Sequence, residues 1–186
     1  MGRSIVIVEP EIPENTGFIA RLCANFGYSL RLVKPEFNLS EARNTASGAQ
    51  QKLRDARIFD SVQEAVRDLD FVVGTKPDRG VELETFTPRE NTSIMLGRES
   101  NGLSNDELEL CDAVVHIETG SYSSINLSHS ASILMYSMTD REKPEGINKE
   151  QKTMISSECS EVMAKLLLRS NPSTEEFDGL MSEIMD

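Results

Sequence analysis

The chain has 186 residues and carries 31 Asp and Glu against 19 Lys and Arg, a formal net charge of −12. This length suits one domain with at most a small appendage, and a hydrophobic content of 38% is enough for a core. The acidity argues against a general nucleic-acid binder, and no stretch approaches the roughly 18 apolar residues of a membrane-spanning helix.

The charge is unevenly distributed along the chain. Residues 1–60 hold 8 Lys and Arg against 7 Asp and Glu, a net charge of +1, whereas residues 61–139 and 140–186 have net charges of −8 and −5. Phosphate binding needs only a local cationic surface, so any such contact is expected mainly from the first third. Three cations there are candidates, although a solvated helix face is the simpler interpretation: Arg43, Lys52 and Arg54.

The three cysteines are odd in number and far apart: Cys23, Cys111 and Cys159. Free thiols in a reducing compartment are a better interpretation than disulfides or zinc ligands. The N-terminus leads directly into an apolar strand with no signal-peptide pattern, so we expect a cytoplasmic protein.

The first half of the chain alternates predicted strands and helices. Ser4–Val8 is mostly β-branched, which suits a strand buried on both faces of a parallel sheet. A proline-containing loop at 9–14 leads to a helix at 16–26, which Asn15 or Thr16 can cap and Gly27 ends. The following segments are predicted as strands at 30–33, 57–59 and 71–75, helices at 39–55 and 61–69, and a loop at 76–92.

Polar loops join the strands and helices of the segment 94–136. An apolar strand ends at Gly97, and Ser104-x-x-Glu107 is a capping box that opens a helix at 104–111. A second apolar strand ends at Ile117, and a helix rich in small residues begins near Asn126. Strand ends that face helix starts are where α/β folds bind ligands, so this segment predicts a site.

The composition changes after Ser137. Residues 140–150 read as a linker, 152–169 as an amphipathic helix, and Ser173-x-x-Glu176 as the cap of a last helix. Two apolar stripes on so short a tail cannot form their own core. We therefore predict a domain at 1–139 and a linker with a helical extension at 140–186, which packs on the first domain or on a second subunit.

Three stretches resemble the motifs of one enzyme family. Leu96–Ser104 resembles motif 2 of the SPOUT RNA 2′-O-ribose methyltransferases, and Ser124–Ser128 resembles their motif 3. Asn15–Gly17, together with Ala20 and Arg21, resembles motif 1. The motifs stand in the family's order, and the closest branch looks like the TrmJ-type tRNA methyltransferases of the TrmH superfamily.

The resemblance implies both a fold and a function. The fold would be the α/β SPOUT fold, a mostly parallel sheet with helices on both faces and a C-terminal trefoil knot, followed by the short helical tail. The function would be transfer of a methyl group from S-adenosylmethionine to a ribose 2′-hydroxyl of tRNA by a homodimer that needs no metal and no membrane. Ribosomal RNA as the substrate, a non-catalytic RNA- or cofactor-binding homologue, and a different nucleotide-binding α/β protein remain alternatives.

The resemblance also implies roles for particular residues. Backbone groups at strand ends and in motif 3 would hold the cofactor: Thr75, Gly97, Gly102, Ile117, Ser124, Ile125, Asn126 and Leu127. The expected catalytic set is Arg21, Asn15, Ser124, Asn126 and Glu99. Arg21 would act on the 2′-hydroxyl as a base or only orient it, since a guanidinium stays protonated, and in the family's dimers this arginine lies near the neighbour's cofactor. Glu99 is expected to anchor the motif 2 loop, and His116 and His129 to have structural or surface roles.

Overall fold

The computed structural model describes residues 2–139, 151, 153–155 and 174–185. The chain divides into two compact units, Met1–Thr139 and Asp140–Asp186. In the second unit, a helix spans Thr174–Met185. The predicted linker, most of the predicted helix at 152–169 and the predicted cap Ser173 lie outside the described residues.

The first unit alternates strands and helices along the chain. Its strands are β1 (Ser4–Val8), β2 (Ser29–Val33), β3 (Arg57–Phe59), β4 (Phe71–Thr75), β5 (Val81–Glu82), β6 (Thr92–Leu96) and β7 (Ala113–His116). Its helices are α1 (Pro13–Phe26), α2 (Gln50–Arg54), α3 (Val62–Val66), α4 (Asn105–Leu108) and α5 (Leu127–Met138), with a 3-10 turn at Glu41–Arg43.

The strands described form one sheet in the order β3-β2-β1-β6-β4-β7-β5, and every neighbouring pair is parallel. Parallel pairing brings the carboxyl ends of all strands to the same edge of the sheet, here called the carboxyl edge, opposite the amino edge. Ile7 of β1 pairs with Leu96 of β6, and Gly74 of β4 pairs with Met95 of β6. The predicted α/β class is confirmed, whereas the trefoil knot stays a prediction.

Helices cover both faces of the sheet, as the sequence predicts. Side chains of β1 alternate between two apolar clusters: Ile5 and Ile7 pack with residues of α1 and α5 on one face. Val6 and Val8 pack with residues of α3 and α4 on the other. All five β1 residues are buried, and burying each of its four apolar side chains contributes about 1.5–3 kcal/mol.

Helix α1 begins earlier than the sequence predicts. It starts at Pro13, so the loop predicted at 9–14 is wrong in its second half. Proline suits the first turn of a helix because its fixed φ is helical and its missing N–H would have no partner there. Asn15 and Thr16 therefore lie buried inside the helix and do not cap it, whereas the end at Gly27, with φ of 74°, is confirmed.

Four further predictions are corrected. The long helix predicted at 39–55 is only the 3-10 turn and α2, and Gly48 between them has a φ of +79° that a continuous helix cannot contain. The segment 76–92 is not entirely loop, because it holds the short edge strand β5, which pairs with β7. The predicted helices at 61–69 and 104–111 are shorter, at Val62–Val66 and Asn105–Leu108.

Candidate functional site

A cavity of about 440 Å³ opens at the carboxyl edge of the sheet. It lies where β4, β6 and β7 end and α5 begins, the position that open α/β sheets use for ligands. Its volume is within the range of small-molecule sites, about 300–1,000 Å³. It is lined by Ile12, Thr75–Pro77, Leu96–Gly102, Ile117, Ser123–Leu127 and Ser130.

The cavity collects most of the residues that the sequence singles out. Every predicted cofactor-binding residue lines it: Thr75, Gly97, Gly102, Ile117, Ser124, Ile125, Asn126 and Leu127. Of the predicted catalytic residues, Glu99, Ser124 and Asn126 line it, whereas Asn15 and Arg21 do not. Segments that the sequence separates by more than 100 residues therefore meet at one place.

A chain of hydrogen bonds joins the three motif segments beside this cavity. The Asn15 Nδ2 donates to Glu99 Oε1 at 3.0 Å, and the Asn126 Nδ2 donates to Asn15 Oδ1 at 3.1 Å. The second carboxylate oxygen of Glu99 accepts from the backbone N–H of Glu11 at 2.8 Å. Asn15 is only 4% exposed, so losing it would leave polar partners without a bond at a place that water barely reaches.

Asn126 also determines where α5 begins. Its Oδ1 accepts from the Ser128 backbone N–H at 2.9 Å and from the Ser128 Oγ at 2.8 Å. This is the helix N-cap that the sequence predicts near Asn126. The same side chain thus caps a helix with its oxygen and reaches motif 1 with its nitrogen.

The motif 2 loop, residues 98–103, is held by carboxylates from the loop after β1 and from α4. Arg98 forms ion pairs with Glu9 at 2.6 Å and with Glu107 at 2.9 Å. Hydrogen bonding to Glu107, and then to Glu9, raises the pKa of the Arg98 guanidinium above its ordinary value despite partial burial. Burial alone would raise the pKa of Glu107, but hydrogen bonds from Arg98 and Ser104 outweigh it and lower that pKa.

Two glycines permit the shape of this loop. A Cβ on Gly97 would lie 2.1 Å from the Gly102 carbonyl carbon and 2.3 Å from the Leu103 nitrogen. Gly102 has a φ of +68°, which side-chain-bearing residues rarely adopt. The requirement for glycine at position 97 therefore comes from the loop's own backbone.

Arg21 lies apart from the cavity of its own chain. It is on α1, exposed to solvent, and makes no hydrogen bond or ion pair with the part of the chain that the structure describes. Among the candidate cations of the first third, Lys52 Nζ donates to the Tyr28 carbonyl at 2.9 Å, Arg54 donates to Gln51, and Arg43 is exposed.

The remaining titratable candidates take no part in the cavity. His129 is exposed and His116 is partly buried, and neither lines it. Cys23 and Cys111 are free thiols, and Cys159 lies outside the described residues. Burial raises the pKa of the Cys23 thiol to about 12, and burial with the nearby Asp112 charge raises that of Cys111 to about 12. These thiols are uncharged at neutral pH and are poor nucleophiles.

Sequence reasoning missed Lys76, which lines the cavity beside Thr75. Its Nζ donates to the Leu103 carbonyl at 3.1 Å, joining the end of β4 to the end of the motif 2 loop. Its position directly after a predicted strand was the available signal. Among the described residues, no group of His, Cys, Asp or Glu could hold a metal ion, and no helix there is long and apolar enough to cross a membrane.

The parallel sheet, the cavity at its carboxyl edge and the clustered motifs define an α/β protein with a cavity of small-molecule size at its strand ends. The chain belongs to the SpoU rRNA methylase family, which matches residues 2–136. The family membership expected from the motifs is thereby confirmed.

Individual relatives agree with this membership. The tRNA (cytidine-2′-O-)-methyltransferase TrmJ of Methanocaldococcus jannaschii is 35% identical in an alignment of length 150, and the match covers 72% of this chain and 65% of the relative. The chain spans less than two thirds of the length of this and the next curated relatives that it matches.

Solved structures share the fold. A structure concerned with the 2-OH methylation of C/U34 on tRNA has a TM-score of 0.66 and 27% identity, and covers 72% of this chain and 91% of its own. The SpoU methyltransferase AviRb of Streptomyces viridochromogenes, in complex with AdoMet, has a TM-score of 0.65 and 23% identity. The match covers 74% of this chain and 57% of the AviRb chain. At that identity, the likeness to AviRb concerns the fold alone.

Proposed function

We propose that this protein transfers a methyl group from S-adenosylmethionine to a ribose 2′-hydroxyl of tRNA. The observation that carries the proposal is the hydrogen-bonded chain Glu99–Asn15–Asn126, which joins one residue of each motif beside the cavity. The TrmJ relative, named as a tRNA 2′-O-methyltransferase, supports the reaction and the class of substrate.

The cavity suits a nucleoside-containing cofactor. Its apolar lining, which includes Leu96, Ile117 and Ile125, can cover a planar base, and polar backbone groups of the Ser123–Leu127 loop stand beside it. Thr75, Gly97 and the backbone of 125–127 would hold the cofactor. When bound, S-adenosylmethionine supplies the methyl group and needs no metal.

The chain's own contribution is to hold and orient the reacting groups. Placing a hydroxyl in line with a methyl donor can lower the barrier by about 7–11 kcal/mol. Both carboxylate oxygens of Glu99 accept hydrogen bonds, one from the Glu11 backbone N–H and one from Asn15. We therefore expect Glu99 to hold the motif 2 loop rather than to act as the base. Ser124, exposed at the cavity, can hydrogen-bond to the cofactor or to the RNA.

Arg21 would act in the cavity of a second copy of the chain. It is exposed and lies outside its own cavity, which is consistent with a homodimer in which α1 faces the partner. Because a guanidinium stays protonated, Arg21 would orient the 2′-hydroxyl and a neighbouring phosphate, and the proton would pass to that phosphate or to water.

The setting of the reaction is part of the proposal. A tRNA substrate and the uncharged free thiols of Cys23 and Cys111 are consistent with the reducing cytoplasm. The second candidate substrate is ribosomal RNA, which the name of the matching family supports.

The experiment is transfer of labelled methyl groups from S-adenosylmethionine to unmodified total tRNA and, in parallel, to unmodified ribosomal RNA. Wild type is compared with Arg21→Ala and with Arg67→Ala, which removes an equally exposed charge outside the cavity. We expect label in alkali-resistant dinucleotides of tRNA, lost in Arg21→Ala and kept in Arg67→Ala.

Label in ribosomal RNA alone would contradict tRNA as the substrate, but it would support the proposed methyl transfer. No label in either RNA, from a folded protein that binds the cofactor by calorimetry, would contradict the enzyme and favour a non-catalytic homologue. Failure to bind the cofactor would contradict the proposal at its first step.

A further inference from the structure

The cavity is lined by two cationic side chains, Arg98 and Lys76, and the surroundings of the two differ. Arg98 is neutralised by ion pairs with Glu9 and Glu107. Lys76 has no ion pair with any carboxylate in the described part of the chain, and its only side-chain partner there is the neutral carbonyl of Leu103. The positive charge of Lys76 is therefore left uncompensated.

The position of Lys76 is fixed by its backbone as well as by its side chain. Its N–H donates to the Val115 carbonyl at 3.2 Å, so the residue continues the pairing of β4 with β7. Its Nζ lies 3.1 Å from the Leu103 oxygen. One of the three ammonium donors is thus used, and two remain for another group.

Lys76 is partly buried at the cavity, and burial removes water that would otherwise solvate a charge. A carboxylate or phosphate oxygen offsets that loss and forms a charge-assisted hydrogen bond. The carboxylate that lines the cavity, Glu99, is engaged by Asn15 and the Glu11 N–H. A ligand bound in the cavity can therefore supply the counter-ion.

We propose that Lys76 is an anion-binding residue of the cavity, which holds a carboxylate or phosphate oxygen of the ligand. The identity of that ligand rests on the proposed function. If the protein is a tRNA methyltransferase, the anion comes from one of two groups. It is either the carboxylate of the cofactor's methionine part or a phosphate of the RNA next to the target ribose.

The test compares Lys76→Met, which keeps the length of the stem and removes the charge, with Lys76→Arg, which keeps the charge. Lys34→Met serves as the control, because it removes the charge of an exposed lysine outside the cavity. Binding of S-adenosylhomocysteine and of 5′-methylthioadenosine is measured by calorimetry. The second ligand has the same nucleoside but no carboxylate, so it separates loss of the charge from a change in cavity shape.

If the anion is the cofactor's carboxylate, Lys76→Met weakens binding of S-adenosylhomocysteine about 10- to 100-fold, the range for a hydrogen bond to a charged group. Binding of 5′-methylthioadenosine stays the same, and Lys76→Arg restores most of the loss. If the anion is an RNA phosphate, both ligands bind Lys76→Met normally. The KM for tRNA then rises by a similar factor, and its salt dependence becomes weaker.

The proposal is overturned if Lys76→Met matches the Lys34→Met control in all these measurements. It is also overturned if both ligands lose affinity equally and Lys76→Arg fails to restore it, because that pattern indicates a structural role. Should wild type bind neither ligand, the proposed function fails separately. Thermal stabilisation by inorganic phosphate at constant ionic strength, larger in wild type than in Lys76→Met, then still tests the anion site.

Discussion

Polar clusters occupy both edges of the sheet, and they differ in what they enclose. At the amino edge, Arg31 donates to Ser4 Oγ at 3.2 Å and to the Ala65 carbonyl at 2.8 Å, and forms a two-pronged ion pair with Asp68. Arg57 adds a second contact to Asp68 at 3.3 Å. At the carboxyl edge, the bonds of Asn15, Glu99 and Asn126 surround a cavity of about 440 Å³ instead.

Side-chain hydrogen bonds occur at both edges, but we expect them to affect stability at one edge and activity at the other. The amino-edge cluster closes on itself, with the Arg31 side chain only 7% exposed, so its effect is on the stability of the fold. The carboxyl-edge network joins loops that line the proposed cofactor cavity. Changes at the amino edge should lower stability at constant activity, and changes at the carboxyl edge should lower activity more than stability.

The largest effect is expected from Asn15→Ala. It removes the residue that links Glu99 to Asn126, and a displacement of catalytic groups by about 1 Å can cost on the order of 100-fold in rate. We expect kcat/KM for tRNA methylation to fall about 100-fold or more, while circular dichroism still reports a folded protein. Gln63→Ala, which removes an exposed amide on α3 outside the cavity, should keep its activity. Equal losses in the two variants would contradict the role of the network.

A smaller effect, of another kind, is expected from Asp68→Ala. The change leaves the nearly buried Arg31 guanidinium without its counter-ion, and the free energy of unfolding should fall by about 2–3 kcal/mol. Urea unfolding measures that change, and methyl transfer per folded molecule should stay within about twofold of wild type. Glu109→Ala, which removes an exposed carboxylate, should change the free energy of unfolding by less than about 0.5 kcal/mol.

The smallest effect concerns pH. Hydrogen bonding from Arg31 holds the pKa of the Asp68 carboxyl well below its ordinary value. A lowered pKa in the folded state contributes stability at pH values above the unfolded pKa, about 3.9, and this contribution is lost as the pH falls further. The difference in unfolding free energy between wild type and Asp68→Asn should therefore be constant above about pH 5 and shrink below about pH 4. A difference in unfolding free energy that grows as the pH falls would contradict a lowered pKa for Asp68.

Local features of the fold were predictable from sequence because they depend on neighbouring residues. The capping box of Ser104 and Glu107 has both of its hydrogen bonds, and Gly27 ends α1 as expected. The start of α1 was misplaced because two prolines suggested a loop, although Pro13 stands where a helix tolerates it.

The site itself was only partly predictable. Glu99 and Asn15 are 84 residues apart, and Asn126 and Asn15 are 111 apart, so no periodicity or spacing joins them. Resemblance to a family brought these residues together in the prediction, and packing of α5 against both α1 and β6 brings them together in the molecule. Lys76 was missed because its role depends on Leu103, 27 residues away, and on the lack of a nearby described carboxylate.

The most direct test is a crystal structure of the protein with S-adenosylhomocysteine. The account predicts the ligand at the carboxyl edge, with its nucleoside against Gly97, Ile117 and the backbone of 125–127. A ligand bound elsewhere, or in this cavity only after Asn15 and Glu99 have separated, would contradict the claim that the network already holds the site in shape.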